Sequence, residues 1–339
     1  MRFSLLTTLP FLALSYAGVF GDINDFWSFD VDVSELGSWM DTIADDTPLS
    51  SLSLPGTHNS MAYDLGGKPT QTQNVSLEKQ LAGGIRYIDI TCRYSRPSIW
   101  VYHGSDETGY SLEDVWKTMF DFLEQNPREA IVLRIQRGGT FSRSKAFAKA
   151  FNKQFYSSVS FAQRCFKFIY SEGVDGISTI PTLGKLRGKI FILQDFETDP
   201  VGRHGLPWSS HTVSNYHRKF SLGTMFSDMK WDGIKAHFSE SPPQDSDKLR
   251  ITYTTGSSSA SPVSIAGQNY PGVGMNKLVG EYLSNEEGDC FGILAMDFPG
   301  KFLVEKIVEL NNKYRVTESP SLAFDNSDAD EAGYAGRGA

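Results

Sequence analysis

Two histidines follow β-like runs at the same relative position, and this placement suits proton-transfer chemistry. His58 lies in LPGTHNS, residues 54–60, just after Pro55 and Gly56 end a short alternating run. His103 lies in SIWVYHGSDE, at the end of the next β-like run. Strand exits often carry functional side chains, and imidazole has an ordinary pKa of about 6.5, near working pH. The pair therefore predicts general acid–base catalysis, in which one histidine takes a proton and the other gives one.

The other histidines carry no such signal. A lone histidine after a strand is most often a surface turn residue, so His58 and His103 are informative only as a pair. Four more histidines fall in loop-like stretches without metal-ligand spacing, and we expect them at the surface or the rim: His204, His211, His217 and His237.

The elements that must position this pair follow an alternating pattern from about residue 48. Five apolar runs are typical of strands: IRYIDIT, AIVLRI, KIFILQDF, LRITYT and FGILAMDF. Between two of them, SLEDVWKTMFDFLEQNP has apolar residues at helical spacing, and Ser111 with Asp114 forms a capping-box pattern at its start. Strand and helix in this rhythm predict an α/β fold with a parallel sheet, open or closed into a barrel. Arg86, the second residue of the first of these runs, is expected to be a structural ion-pair donor.

Composition bounds the classes of function. The 339 residues include 32 basic and 40 acidic side chains, a net charge of −8, with hydrophobic residues at 40%. This balance argues against a general polyanion binder, and no block of Lys or Arg indicates a nucleic-acid groove. Three cysteines, Cys92, Cys165 and Cys290, lack zinc-site spacing. They allow one disulfide and one free thiol without indicating which pair is bonded.

The first residues are typical of a signal peptide. Arg2 precedes an apolar run, and small residues at Ser15 and Ala17 suit cleavage after residue 17. The alternative is a membrane anchor, but the run is short and Pro10 interrupts it. We therefore expect a secreted protein with a signal peptide over 1–17, an N-terminal extension over 18–47, one domain over 48–315 and a disordered acidic tail over 316–339. No other stretch is long enough to span a bilayer.

The ordered set of motifs resembles one family. LPGTHNS, QLAGGIRYIDI, VYHG and NPREAIVLRI occur in the order seen in the X domain of phosphatidylinositol-specific phospholipase C. FGILAMDFPG resembles the last barrel strand of the secreted, single-domain members. The resemblance covers roughly residues 48–315. It implies a distorted TIM (β/α)8-type barrel as a single domain, with the active site at the carboxyl ends of the strands.

The resemblance also implies roles for individual residues. His58 matches the general base for the inositol 2-hydroxyl, and His103 matches the general acid for the leaving diacylglycerol oxygen. Asp297 matches the carboxylate that orients and supports the base. Tyr216, in SNYH, is implied as the aromatic residue that stacks on the inositol ring. Because the attacking hydroxyl belongs to the substrate, the protein mainly supplies proton transfer and charge stabilisation.

The family uses two solutions for charge stabilisation, and this chain follows neither fully. Calcium-dependent members have Asn after the base histidine and acidic ligands on the next strands, whereas calcium-independent members have Asp and an arginine. Asn59 and Asp89 match the calcium type, but Thr91 and Gln136 stand where both types have charged residues. Since few charged ligands remain, the resemblance implies at most a weak Ca²⁺ site at Asn59 and Asp89, completed by substrate phosphate. Of the two solutions, the sequence slightly favours Ca²⁺ over an arginine.

Two arginines offer another positive charge. Strand alternation places Arg93 on the same face as Asp89 and Thr91, and it places Arg134 on the face of Gln136. Either guanidinium could bind the phosphate through two hydrogen bonds. The alternative is a buried ion pair with Asp89 or another acid. For Arg93 both roles stay open, and for Arg134 the structural role is favoured.

The resemblance implies a secreted phosphodiesterase that cleaves phosphatidylinositol, or a glycosylated relative, to diacylglycerol and inositol (cyclic) phosphate. Such an enzyme would act as a monomer, peripherally, on phospholipid at a membrane surface. Another phosphodiesterase on the same barrel, such as a sphingomyelinase D-like enzyme, is one alternative, but it needs a richer acidic metal site. A catalytically weak barrel that binds inositol or anionic lipid is another, and the retained His58, His103 and Asp297 argue against it.

Overall fold

The computed structural model describes residues 26–316, apart from 67, 69, 140–143, 156–157, 174–175, 199–200, 218–224, 241–247, 257–260, 268–272 and 286–289. The predicted signal peptide and all but the first residue of the predicted tail lie outside the described residues. The proposed domain boundaries therefore stay predictions.

One curled sheet contains the ten strands of the described residues. They are β1 (Leu54–Thr57), β2 (Tyr87–Ser95), β3 (Ser98–His103), β4 (Asp106–Ser111), β5 (Ala130–Arg137), β6 (Lys189–Asp195), β7 (Leu206–Pro207), β8 (Val213–Tyr216), β9 (Leu249–Tyr253) and β10 (Ile293–Met296). Eight are parallel in the order β7-β6-β5-β2-β1-β10-β9-β8, and within the described part of the chain β7 and β8 do not pair. The predicted α/β, TIM-type fold is confirmed as a barrel that stays open between β7 and β8.

Helices pack against this sheet. They are α1 (Leu77–Ala82), α2 (Leu112–Gln125), α3 (Ser144–Gln154), α4 (Val159–Phe168), α5 (Leu183–Leu186), α6 (Met225–Ser239), α7 (Pro262–Gly267), α8 (Met275–Asn285) and α9 (Lys301–Glu309). The predicted capping box of α2 is present: the Ser111 hydroxyl accepts from the Asp114 N–H at 3.2 Å, and the Asp114 carboxylate accepts from the Ser111 N–H at 2.8 Å. These bonds satisfy two helix-start donors. The apolar face of α2 is buried, as its periodicity predicts.

A buried ion pair ties the segment before the barrel to the sheet. Arg86 is fully buried, and its guanidinium lies 2.7 Å from a Glu129 carboxylate oxygen. Further Arg86 donors reach the backbone carbonyls of Leu36 and Gly37 at 3.0 and 2.8 Å. Glu129 also accepts from the Met40 N–H at 2.9 Å. The expected structural role of Arg86 is therefore confirmed, and it extends to anchoring residues 36–40.

The hairpin of β2 and β3 departs from regular strand–helix alternation and positions the second histidine. The pairing of β2 with β5 ends at Cys92, and the last three residues of β2 pair with β3 alone. The hairpin thus projects beyond the barrel at the carboxyl end of its strands. Because β3 runs back along β2 until Tyr102 lies opposite Thr91, His103 returns to the barrel mouth.

The three cysteines are buried, separate thiols, so no disulfide joins them. Among the residues that the structure describes, no helix has both the length and the apolar character needed to cross a bilayer.

Candidate active site

Strand register brings three polar residues together at the carboxyl end of the barrel. Thr57, the last residue of β1, pairs with Met296 of β10 on one side and with Ile88 of β2 on the other. The next residue on each strand is polar: His58, Asp297 and Asp89. Neighbouring parallel strands therefore present these side chains side by side, where barrel enzymes carry their active sites.

His58 and Asp297 form a buried hydrogen-bonded pair. His58 Nδ1 lies 2.9 Å from Asp297 Oδ1, and the two residues are 8% and 2% exposed. Since a carboxylate only accepts, the bond places the proton on Nδ1 and leaves Nε2 as an acceptor. Asn59 Nδ2 donates to that Nε2 at 2.8 Å. Asn59 has a φ of 44°, a left-handed conformation that Asn tolerates better than most residues. His58 is thus oriented as a base whose Nε2 accepts a hydrogen bond from an amide that substrate could displace.

His103 faces His58 across the barrel mouth. Their ring centroids are 5.8 Å apart at an interplanar angle of 79°. His103 Nδ1 donates to the Thr70 carbonyl at 2.5 Å, which leaves Nε2 for a second partner. The Thr70 hydroxyl also donates to Asp106 at 2.7 Å, and this bond, with Lys68 nearby, holds the pKa of Asp106 below its ordinary value. The structure therefore brings the two predicted histidines together and fixes each from its Nδ1 side.

Two aromatic residues that the sequence analysis does not assign to the site complete the surroundings of His58. Its ring lies edge-on to His217 at 5.6 Å and to Tyr253 at 5.8 Å. His217 stacks on Tyr253 with centroids 4.0 Å apart. His217 follows β8 as His58 follows β1, but a strand of only four residues gives a weak sequence signal. The expected surface or rim position is wrong for His237, which is 5% exposed. The same expectation did not include the contact that His217 makes with His58.

Arg134 lies next to Asp89 inside the barrel. Its Nη1 donates to the two Asp89 oxygens at 3.4 and 3.3 Å and to the Tyr253 hydroxyl at 2.9 Å. Its Nη2 donates to Asp195 at 2.6 Å, and the guanidinium lies over the Trp208 ring at 4.0 Å. Burial disfavours the charged form, yet Asp89 and the other neighbours raise the pKa of Arg134 above its ordinary value. Arg134 thus makes the ion pair considered for it from the sequence, and its plane is fixed on three sides.

The predicted calcium ligands are engaged with other groups. Besides Arg134, Asp89 accepts from the Tyr253 hydroxyl at 2.8 Å, so both of its oxygens have donors. Thr91 donates to Gln136 at 3.2 Å, and these two neutral side chains replace two charged ligands of the calcium type. Within the described residues, no group of three or more His, Cys, Asp or Glu side chains could hold a metal. Because Ca²⁺ needs six to eight oxygens, this donor set does not fit it.

Arg93 lies on the hairpin, on the side of His103. Its Nη2 donates to the carbonyl of Gly104, the residue after His103, and its guanidinium lies 4.6 Å from the centre of the Tyr102 ring. Both contacts lie within the β2–β3 hairpin and the turn that follows it. These contacts tie the Arg93 side chain to the residues on either side of His103.

Tyr216 packs under α6. Its hydroxyl donates to the Lys230 carbonyl at 3.4 Å, and a Cβ on Gly233 would lie 2.1 Å from that hydroxyl, so only glycine permits this approach. The Lys230 ammonium lies 4.8 Å from the centre of the Tyr216 ring. Lys230 is 3% exposed, and burial lowers its pKa to about 7 although the Asp297 charge acts in the opposite direction. A second buried cation therefore lies within electrostatic reach of the His58–Asp297 pair.

Comparisons with known proteins agree with this arrangement. Residues 46–195 match the family model "Phosphatidylinositol-specific phospholipase C, X domain". A 1-phosphatidylinositol phosphodiesterase of Listeria monocytogenes is 28% identical over 297 residues, which are 81% of this chain and 85% of that protein. The solved phosphatidylinositol-specific phospholipase C of the same organism superposes with a TM-score of 0.66 at 26% identity, covering 81% of this chain and 98% of that one.

A double mutant of the Staphylococcus aureus phosphatidylinositol-specific phospholipase C shares the fold at 18% identity. Its TM-score is 0.65, and the match covers 83% of this chain and 98% of that one. The family model begins before β1 and ends with β6, so it includes His58, Asp89, His103 and Arg134. Over residues 46–195, this chain is thus similar to the X-domain family of phosphatidylinositol-specific phospholipases C.

Proposed function

We propose that this chain is a phosphodiesterase that cleaves phosphatidylinositol, or a glycosylated relative, by two-histidine general acid–base catalysis. The observation that carries the proposal is the cleft in which His58, held by Asp297, faces His103 at 5.8 Å between ring centroids. The match to the X-domain family model supports the same reaction, as does the similarity to the Listeria 1-phosphatidylinositol phosphodiesterase.

The first step transfers two protons, one from the attacking oxygen to His58 and one from His103 to the leaving oxygen. His58 Nε2 takes the proton of the inositol 2-hydroxyl, and that oxygen attacks phosphorus. The bond from phosphorus to the diacylglycerol oxygen breaks, and His103 gives that oxygen its proton. The products are diacylglycerol and an inositol cyclic phosphate, and the two histidines have exchanged protonation states. Water can then open the cyclic ester with the roles reversed, which restores both histidines.

Asp297 supports this exchange through charge and orientation. Its carboxylate fixes the proton on His58 Nδ1, so the opposite nitrogen is the base. When His58 becomes imidazolium, the same carboxylate stabilises the new positive charge. Substrate must displace the Asn59 amide from Nε2, and Asn59 then has its side chain free to bind the incoming hydroxyl or phosphate.

Charge on the phosphate would be met by Arg134 and Lys230 rather than by a metal. Arg134 is held in one orientation by Asp89, Asp195 and Tyr253, so it would lose little side-chain conformational entropy on binding a phosphate oxygen. Lys230 approaches from the α6 side, where the Asp297 charge acts on it. Arg93 then acts as a positioning residue, because its guanidinium holds the turn after His103.

The inositol ring has two candidate aromatic partners. Tyr216 was implied by the family resemblance, but its hydroxyl is directed at the α6 backbone. The stacked pair of His217 and Tyr253 lies directly beside His58 and offers a flat surface where the 2-hydroxyl must sit. We therefore favour this pair over Tyr216 for ring recognition.

The apolar start of the sequence further supports export, with action at a membrane surface from outside the cell.

The test is release of water-soluble inositol phosphate from labelled phosphatidylinositol. His58→Ala and His103→Ala should each lower turnover by about 10²–10⁴-fold. His211→Ala is the matched control, since His211 is exposed and should leave turnover unchanged. Equal turnover in all three variants would refute the assignment. Binding of inositol phosphate without any turnover by the wild type would instead favour a lipid-binding barrel.

A further inference from the structure

A groove lies beside the barrel mouth, outside the site described above. It has a volume of about 560 Å³ and lies between the tip of the β2–β3 hairpin and α3. The hairpin contributes Tyr94, Arg96 and Ile99, and α3 contributes Lys149 and Lys153. Among the described lining residues, Glu113 is the one acid. The lining therefore carries three basic groups against one acidic group.

The packing of α3 directs its lysines toward solvent. Lys145, Lys149 and Lys153 recur every fourth residue of α3, which places them along one side of the helix. All three are exposed, whereas Phe147 and Phe151 are buried at 1% and 0% exposure. Because the phenylalanines hold the inner face of α3 in the core, the lysine row must point outward.

These cations are not neutralised by nearby acids. In the described part of the chain, Arg96, Lys145, Lys149 and Lys153 have no carboxylate within 4.0 Å, although many other surface cations do: Lys68, Lys79, Lys117, Arg128, Lys235, Lys277, Lys301 and Lys306. The whole chain has a net charge of −8. An uncompensated basic strip on an acidic protein is the charge pattern expected at a surface that meets anions.

The groove and the catalytic cleft face the same side of the molecule. Asp89 lies at the level of His58, and β2 continues six residues further to Ser95. At about 3.3 Å per residue, the hairpin tip reaches roughly 20 Å beyond the cleft in the strand direction. Arg96 lies in that tip. A flat anionic surface that covers the barrel mouth would therefore meet the groove as well.

We infer that the groove formed by Arg96, Lys149 and Lys153 docks the headgroup phosphates of an anionic lipid surface. This inference rests on the proposed function for the presence of such a surface, and it assigns binding outside the catalytic cleft. The bound phosphate lies between the hairpin tip and the lysine row, and Lys145 extends the strip. Docking lengthens the time that the cleft spends over lipid, and the groove takes no part in the chemistry.

The experiment measures sedimentation with vesicles of phosphatidylcholine that contain a third of phosphatidylglycerol, an anionic lipid without an inositol group. Lys149→Gln/Lys153→Gln should bind about 25-fold more weakly than the wild type, at about fivefold per basic residue. The matched control is Lys167→Gln/Lys185→Gln, which removes two exposed lysines near the start of β6, at the opposite end of the barrel. The control should bind like the wild type, and pure phosphatidylcholine should bind all three proteins equally weakly.

A second readout separates docking from chemistry. Turnover of short-chain phosphatidylinositol below its micelle concentration should be the same in the wild type and both double variants. Equal vesicle binding by the two double variants would overturn the inference, as would a loss of monomer turnover in Lys149→Gln/Lys153→Gln. If the wild type fails to turn over the monomer, the proposed function fails, while the vesicle comparison still decides whether the groove docks anionic lipid.

Discussion

Replacement of Asp297 by Asn tests the catalytic assignment most sharply, because it removes one charge and keeps the shape. In the wild type, the Asp297 carboxylate accepts from His58 Nδ1 at 2.9 Å in a buried setting. Unit charges about 4 Å apart at an effective dielectric constant of about 20 interact by about 4 kcal/mol. That energy stabilises the imidazolium form of His58, so its loss corresponds to about 10³-fold in rate. The assay is release of inositol phosphate from phosphatidylinositol at saturating substrate.

Two comparisons keep this prediction specific to the pair. Asp121→Asn makes the same substitution on the exposed side of α2 and should leave turnover within about twofold of the wild type. If Asp297 acts only through His58, then adding Asp297→Asn to His58→Ala should cost nothing further. Retention of wild-type turnover by Asp297→Asn would refute the reasoning, and additive losses in the double variant would show that Asp297 acts independently of His58.

Three further outcomes are expected. Wild-type turnover should persist in excess chelator, whereas Arg134→Lys should lose at least about tenfold because it lacks the guanidinium fork; a requirement for Ca²⁺ would contradict this. Since burial lowers the pKa of Lys230 from 10.5 to about 7, the unfolded chain binds one more proton than the folded chain between these values, and stability should rise with pH there. Lys230→Met should remove up to ~5 kcal/mol of that rise, measured as the free energy of unfolding in denaturant titrations at pH 7 and pH 10. The same change in the free energy of unfolding between these pH values in the wild type and the variant would disprove it. Arg86→Met leaves Glu129 buried without its partner and should lower the free energy of unfolding by about 3–5 kcal/mol. The partly exposed pair of Arg128 is the control, and Arg128→Met should cost less than about 1 kcal/mol.

The sequence by itself determined the features that depend on neighbouring residues. The capping box at Ser111, the apolar face of α2 and the strand–helix rhythm are local patterns, and each is present in the structure. The order of motifs also identified His58, His103 and Asp297 as one candidate set. The closeness of His58 and Asp297 could be predicted because the carboxyl ends of parallel strands meet at one end of a barrel. His103 is the last residue of the antiparallel strand β3, and only the hairpin of the folded chain brings it to that end.

Only the tertiary structure decided which groups surround that set. Asp89, Arg134 and Tyr253 come from strands separated by up to 164 residues, and their contact depends on how β2, β5 and β9 are aligned and curled. A pattern within one strand says which face a side chain occupies but not which partner lies opposite it. For that reason the sequence left calcium and arginine open, whereas the folded barrel places the Arg134 guanidinium against the carboxylate that a metal would need.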